Sequence, residues 1–150
     1  MTTKQKIEEF LSLKSIGIVG ISTDERKFGN GVYKSMKTAG FKVFAIHPEM
    51  QSVAGDKCYK DFNSLPEKAG GVWIAVAPRN VLSVLQNVLD AGIKNVWLQQ
   101  QSESEEAIDF CIKNGISVIR KECILMFAEP VKSIHRFHRG FNKIFGMYPR

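Results

Sequence analysis

Short, continuously apolar runs alternate along this chain with stretches of helical periodicity, and no other feature constrains the fold as much. The runs fall at residues 15–19, 42–46, 72–76, 95–98 and 117–119. A strand exposed on one face alternates apolar and polar residues, whereas runs apolar throughout belong to sheets covered on both sides. Helical patterns lie between them at 30–38, at 80–91 and from Ser104 to about 114, after a short opening helix at 4–13. Val32, Tyr33 and Met36 share one helical face, as do Val81, Val84, Leu85, Val88 and Leu89. Asn80 and Ser104 are N-cap residue types, and Gly40, Gly92 and Gly115 stand where helices should stop. This spacing is that of βαβ units, so the chain is expected to be an α/β fold. We expect a doubly wound parallel sheet of about five strands, with a core over residues 14–123 of one 1–150 domain. The stretch 51–69 shows only turn signals, at Gly55-Asp56 and Leu65-Pro66, and reads as irregular.

In such sheets ligands bind at the carboxyl ends of the strands, near the point where strand order reverses. The loop after the first run is the strongest candidate. Ser15-Ile16-Gly17-Ile18-Val19 leads into Gly20-Ile21-Ser22, then Arg26-Lys27-Phe28-Gly29-Asn30, where the next helix opens. Gly20 permits a tight turn, Ser22 offers a hydroxyl, and Lys27 beside Arg26 supplies positive charge. Gly29 and Asn30 bring helix N–H groups to the same place. These are the parts that hold a phosphate. The other residues just past strand ends are His47-Pro48, Ala77-Pro78-Arg79 and Gln99-Gln100-Gln101.

A nicotinamide dinucleotide calls for G-x-G-x-x-G in this loop and an acidic residue ending the second strand. Gly17 and Gly20 have the wrong spacing, and the second run ends in His47-Pro48. A small NAD(P)-dependent oxidoreductase is therefore the weaker alternative. The G-x-x-x-x-G-K-[ST] loop of P-loop ATPases is absent.

Gly20-x-Ser22 with Lys27-Phe28-Gly29, an X-Pro after the second strand, Val76-Ala77-Pro78 and Val96-Trp97-Leu98-Gln99 together resemble the stand-alone coenzyme A-binding proteins. That family shares a Rossmann-like fold with the N-terminal domain of the succinyl-CoA synthetase alpha subunit. The resemblance implies a Rossmann-like sheet and a pocket for coenzyme A or an acyl-CoA. It implies that Gly20, Ile21, Ser22 and Lys27 hold the diphosphate and that His47 and Pro48 border the nucleotide. Ala77, Pro78 and Arg79 would line the other side, with Gln99 and Gln100 nearer the pantetheine arm. The chain departs from the family's pattern in carrying His47 where asparagine is usual and Gln101 where glycine is frequent. It also lacks a proline common between Ser22 and Lys27. CoA carries a diphosphate and a 3′-phosphate, so it suits cations and helix N-termini better than a ribose-binding acid does.

Residues 129–150 carry +4 of the net charge of +6, and the rest of the chain is nearly balanced. That distribution argues against a broad nucleic-acid surface. In the same segment Val131, Ile134, Phe137, Phe141, Ile144 and Phe145 form a stripe opposite Lys132, Arg136, Arg139 and Lys143. It reads as a basic amphipathic helix that packs on the domain or builds a homo-oligomer. An interaction module acting through this helix is the other alternative to ligand binding. His135 and His138 share a helix face there, with no further ligand nearby to suggest a metal. Cys58, Cys111 and Cys123 form no C-x-x-C pair, so neither a disulfide framework nor a zinc site is indicated. No nucleophile-and-base pair stands out, and the chain reads as a non-catalytic binder. With no leader-like or membrane-spanning run, a cytoplasmic setting is expected.

Overall fold

A computed structural model of the protein describes residues 2–128. The helix expected over 129–150, with His135 and His138, lies outside the described residues. Helix α1 (Thr3–Leu11) precedes strand β1 (Ile16–Val19), helix α2 (Phe28–Thr38) and strand β2 (Val43–Ile46). A hairpin of β3 (Ser52–Val53) and β4 (Asp56–Tyr59) follows, then β5 (Gly71–Ile74) and α3 (Pro78–Asp90). Strand β6 (Asn95–Leu98), helix α4 (Glu105–Lys113) and strand β7 (Ser117–Ile119) complete the order.

Among the described residues the sheet has seven strands, in the order β3-β4-β2-β1-β5-β6-β7. All pairings are parallel except β3 with β4. The five expected strands are present and parallel, and the two additional ones form the hairpin in the stretch read as irregular. Its turn places Ala54 at φ 50° and Gly55 at φ 81°, the twist a two-residue hairpin requires.

Burial explains the apolar runs. All of β5 is buried, as are the first three residues of β1 and the last three of β2 and β6. One face packs on α1 and α2 through Ile7, Phe10, Val32, Met36, Trp73 and Trp97. The opposite face packs on α3 and α4 through Val72, Ile74, Val81, Leu85, Val96 and Cys111. Ser104 caps α4, its Oγ accepting from Ala107 N at 3.1 Å. Glu105 and Glu106 sit in that first turn, where carboxylates complement the helix dipole. Asn80 does not cap α3: the helix begins two residues earlier, at Pro78, whose fixed φ and missing N–H suit a first helical position.

The hairpin is tied to α2 by the Asp56 carboxylate, which accepts from Tyr33 Oη at 2.8 Å and pairs with the Lys37 ammonium. The Lys37 hydrogen bond, then that of Tyr33, holds the Asp56 carboxyl below the usual aspartate range. A depressed folded-state value contributes stability above the unfolded value, about 3.9, and that contribution is lost as pH falls below it. In urea, Asp56→Asn is therefore expected to be less stable than wild type at neutral pH. The difference should close as pH is lowered from about 5 to about 2.

Candidate functional site

Strand order reverses between β1 and β5, since β2 lies on one side of this pair and β6 on the other. A cleft of about 530 Å³ opens there, past the carboxyl ends of β1, β5 and β6. Its walls are Lys27, Phe28 and Gly29 at the start of α2 and Ala77 and Pro78 at the start of α3, and Ala75, Val76 and Gln99 to Ser102 line the rest. Backbone pairing continues into this region. Ala75 N donates to Val19 O at 2.8 Å, and Gln99 N to Ile74 O at 2.9 Å.

Close backbone approach shapes the β1 end. Gly20 has φ +134°, and a Cβ there would lie 2.5 Å from Ala75 O. A Cβ on Gly29 would lie 2.1 Å from Gly20 O. Both glycines let three backbone segments meet where a side chain would hold them apart.

The first N–H groups of any helix have no intrahelical acceptor. At α1 and α4 a side chain satisfies one of them, from Thr2 and Ser104. At α2 and α3 no side chain does: the N-cap positions are Lys27 and Ala77. Among the described α-helices, the two that begin at the cleft are thus the two with open N-termini, each an electropositive end. Charge in the loop is divided between two fates. Arg26 pairs with Asp24, whose carboxyl it holds below the usual range. Lys27 has no carboxylate at ion-pairing distance among the described residues.

Of the sequence candidates, Lys27, Gly29, Ala77, Pro78, Gln99 and Gln100 line this cleft. Gly20 lies at its edge through the Ala75 contact. Ile21 is 5% exposed and packs into the core. Ser22 follows it with both backbone polar groups engaged by Asn30, and its Oγ accepts from Asp24 N. Asn30 is itself buried. Arg79 is an exposed residue in the first turn of α3. His47 Nδ1 accepts from the backbone N of Glu49 and Met50, both at 3.0 Å, so the imidazole shapes the turn after β2. Pro48 lines a separate depression of about 520 Å³ with Lys57 and Lys60.

Sequence reading missed Ala75 and Ser102 as lining residues, and gave no role to Phe28, Val76 and Gln101, which it noted only in motifs or past strand ends. Phe28 is the notable one: it is 47% exposed, with its ring 6.1 Å from that of Trp73. Trp73 Nε1 donates to Gln99 Oε1 at 3.3 Å. An aromatic residue between Lys27 and Gly29, in a loop otherwise polar from Ser22 to Lys27, was the available signal. Burial pushes the Cys111 thiol up to about 11 and also raises Cys58, the reverse of an activated thiolate. Among the described residues no three His, Cys, Asp or Glu side chains are grouped to hold a metal ion. None of the described helices is long and apolar enough to cross a membrane.

Comparison with known proteins gives the site a context. The alpha subunit of ADP-forming acetate–CoA ligase II from Pyrococcus furiosus is 25% identical over 129 residues, covering 79% of this chain and 28% of the subunit. The chain spans between 15% and 28% of the length of the curated ligases it matches. A conserved hypothetical protein of known structure from Pyrococcus furiosus has 32% identity and a TM-score of 0.71, over 75% of this chain and 97% of that one. The dinucleotide-forming acetyl-coenzyme A synthetase 1 of Ca. Korarchaeum cryptofilum has 25% identity and a TM-score of 0.65, over 75% of this chain and 27% of that one. The model of the CoA binding domain matches residues 14–129, which contain the whole sheet and both helices that open on the cleft, and the chain belongs to the CoA binding domain family.

Proposed function

We propose that the protein binds coenzyme A, free or as an acyl thioester, in the cleft between α2 and α3, and does so without a catalytic group of its own. The observation that carries this reading is the convergence of two uncapped helix N-termini on one cleft, with the ammonium of Lys27 beside them. Preorganised N–H groups and an unpaired cation suit a diphosphate. Pro78 offers no N–H, so the first donor of α3 is the backbone of Arg79. Phe28 and the amides of Gln99 and Gln100 extend the cleft toward β6, a mixed surface that suits the amides and methylenes of a pantetheine arm. The ligases that share this domain are several times longer, so CoA binding is the part of their chemistry we extend to this chain.

Thermal unfolding with CoA, acetyl-CoA, NAD⁺ and NADPH in turn tests the proposal. CoA at roughly a hundred times its Kd should add about 2.7 kcal/mol to native stability. For a domain of this size that raises Tm by roughly 5–10 °C. The nicotinamides should leave Tm unchanged. Lys27→Ala should raise the Kd for CoA by about tenfold to a hundredfold, the worth of one hydrogen bond to a charged group. Stabilisation by a nicotinamide alone, or by none of the four, would overturn the reading.

A further inference from the structure

Three polar residues are buried among the described residues: Ser15, Asn30 and Ser102. Two of them flank the cleft, and their bonding is alike. The Asn30 Oδ1 accepts from Ser22 N and its Nδ2 donates to Ser22 O, both at 2.8 Å. Ser102 Oγ accepts from Val76 N at 2.9 Å and donates to Val76 O at 2.7 Å. Each side chain therefore takes both backbone polar groups of one loop residue. Asn30 is 1% exposed and Ser102 is 2% exposed, so water does not compete for these bonds.

The two gripped residues occupy matching places. Ser22 lies just past β1 and Val76 just past β5, the two strands at the reversal of strand order. Ser22 begins the loop that ends at Lys27, the N-cap of α2. Val76 directly precedes Ala77, the N-cap of α3. A peptide loop outside the sheet has no ladder to orient it, and its N–H and C=O groups are free to turn. Held at both groups by one buried side chain, it is fixed.

We propose that Asn30 and Ser102 are a matched pair of positioning residues, one for each wall, that hold the open N-termini of α2 and α3 at the separation the ligand needs. Ser102 lines the cleft, but its hydroxyl is committed to Val76 as the Asn30 amide is to Ser22, so both act through the backbone they hold. The inference rests on the CoA-binding reading and deepens it, because it assigns the cleft's rigidity to two residues. It also removes the Ser22 and Val76 N–H groups from the donors available to a diphosphate and leaves that task to the first turns of the helices. Preorganisation of this kind lowers the ordering cost of binding.

The test begins with wild-type protein and CoA in a calorimeter. No binding by wild type would end the functional reading itself. Given binding, Asn30→Ala and Ser102→Ala should each raise the Kd by about tenfold at a temperature where circular dichroism shows them folded. Asn30→Asp separates positioning from simple loss of stability. Its carboxyl accepts from Ser22 N but donates to Ser22 O only when protonated. Burial raises such a carboxyl above its ordinary value of about 4, so its affinity, taken relative to wild type at each pH, should fall as pH rises from about 4 through that raised value. Asn30→Ala should be equally weak throughout. Folded alanine variants with wild-type Kd would overturn the proposal. Should the variants not fold, hydrogen exchange in ligand-free wild type decides the matter. The amides of Ser22 and Val76 should be protected like strand amides, and exchange at open-loop rates would overturn the proposal.

Discussion

Replacing Gly29 with alanine is expected to destabilise the protein by about 3 kcal/mol and to lower Tm by roughly 6–12 °C. The added methyl would lie 2.1 Å from the Gly20 carbonyl oxygen and 2.7 Å from its carbon. Both are backbone atoms at the end of a central strand, so no side-chain rotation relieves the overlap. The first turn of α2 must lift off β1. Gly20 cannot yield in turn, because its own backbone lies against Ala75. Lifting α2 carries Lys27 and the helix N-terminus away from the cleft, so CoA affinity should fall even where the variant is folded. Gly31 supplies the control. It lies two residues further along the same helix, and a Cβ there meets nothing within 4 Å. Gly31→Ala should be stabilising by up to about 1 kcal/mol through helix propensity alone. Equal melting of Gly29→Ala and wild type would mean that α2 is not seated on β1 as described.

The same contacts show why some of this molecule was legible in its sequence and some was not. The parallel strands were readable because both faces are covered, which leaves runs such as Gly71–Ile74 with no polar residue. Capping by Ser104 was readable because its partner is three residues away. The hairpin was hidden by its brevity and its edge position. Strand β3 has two residues, and β4 carries Lys57 on its exposed face and Asp56 on the other, where it bonds α2. Its turn has alanine at a positive φ, where asparagine or glycine would have signalled it. The start of α2 was placed two residues late because its N-cap is Lys27, which offers no capping side chain. That absence is what leaves the helix open to a ligand, so the sequence rule failed at the candidate site. Asn30 read as a ligand contact from its place in the motif. Only the folded chain shows its amide turned inward onto Ser22, since that pairing depends on the loop between them. Ser102 had no local signal at all, for its partner is 26 residues away.

Trp97→Ala should cost about 3–5 kcal/mol, a large part of the 5–15 kcal/mol typical of a domain. Trp97 is fully buried, edge-on to Phe10 at 5.4 Å and 6.1 Å from Phe127. Its Nε1 donates to Glu122 O at 2.9 Å, so truncation also leaves a carbonyl without its donor. The urea midpoint should drop accordingly, with α1 and the 124–126 turn losing their common anchor. Trp73 is its register partner on β5, equally buried, but its indole N–H points to Gln99 in the cleft and its ring supports Phe28. The two tryptophans should therefore separate stability from binding. Trp97→Phe should lower the midpoint and leave the Kd for CoA unchanged. Trp73→Phe should lower the midpoint by a similar amount and also raise the Kd, because it frees the Gln99 amide and withdraws the support behind Phe28. If Trp97→Phe weakened CoA as much as Trp73→Phe did, the cleft would depend on the core as a whole. The route from Trp73 through Gln99 and Phe28 would then carry no special weight.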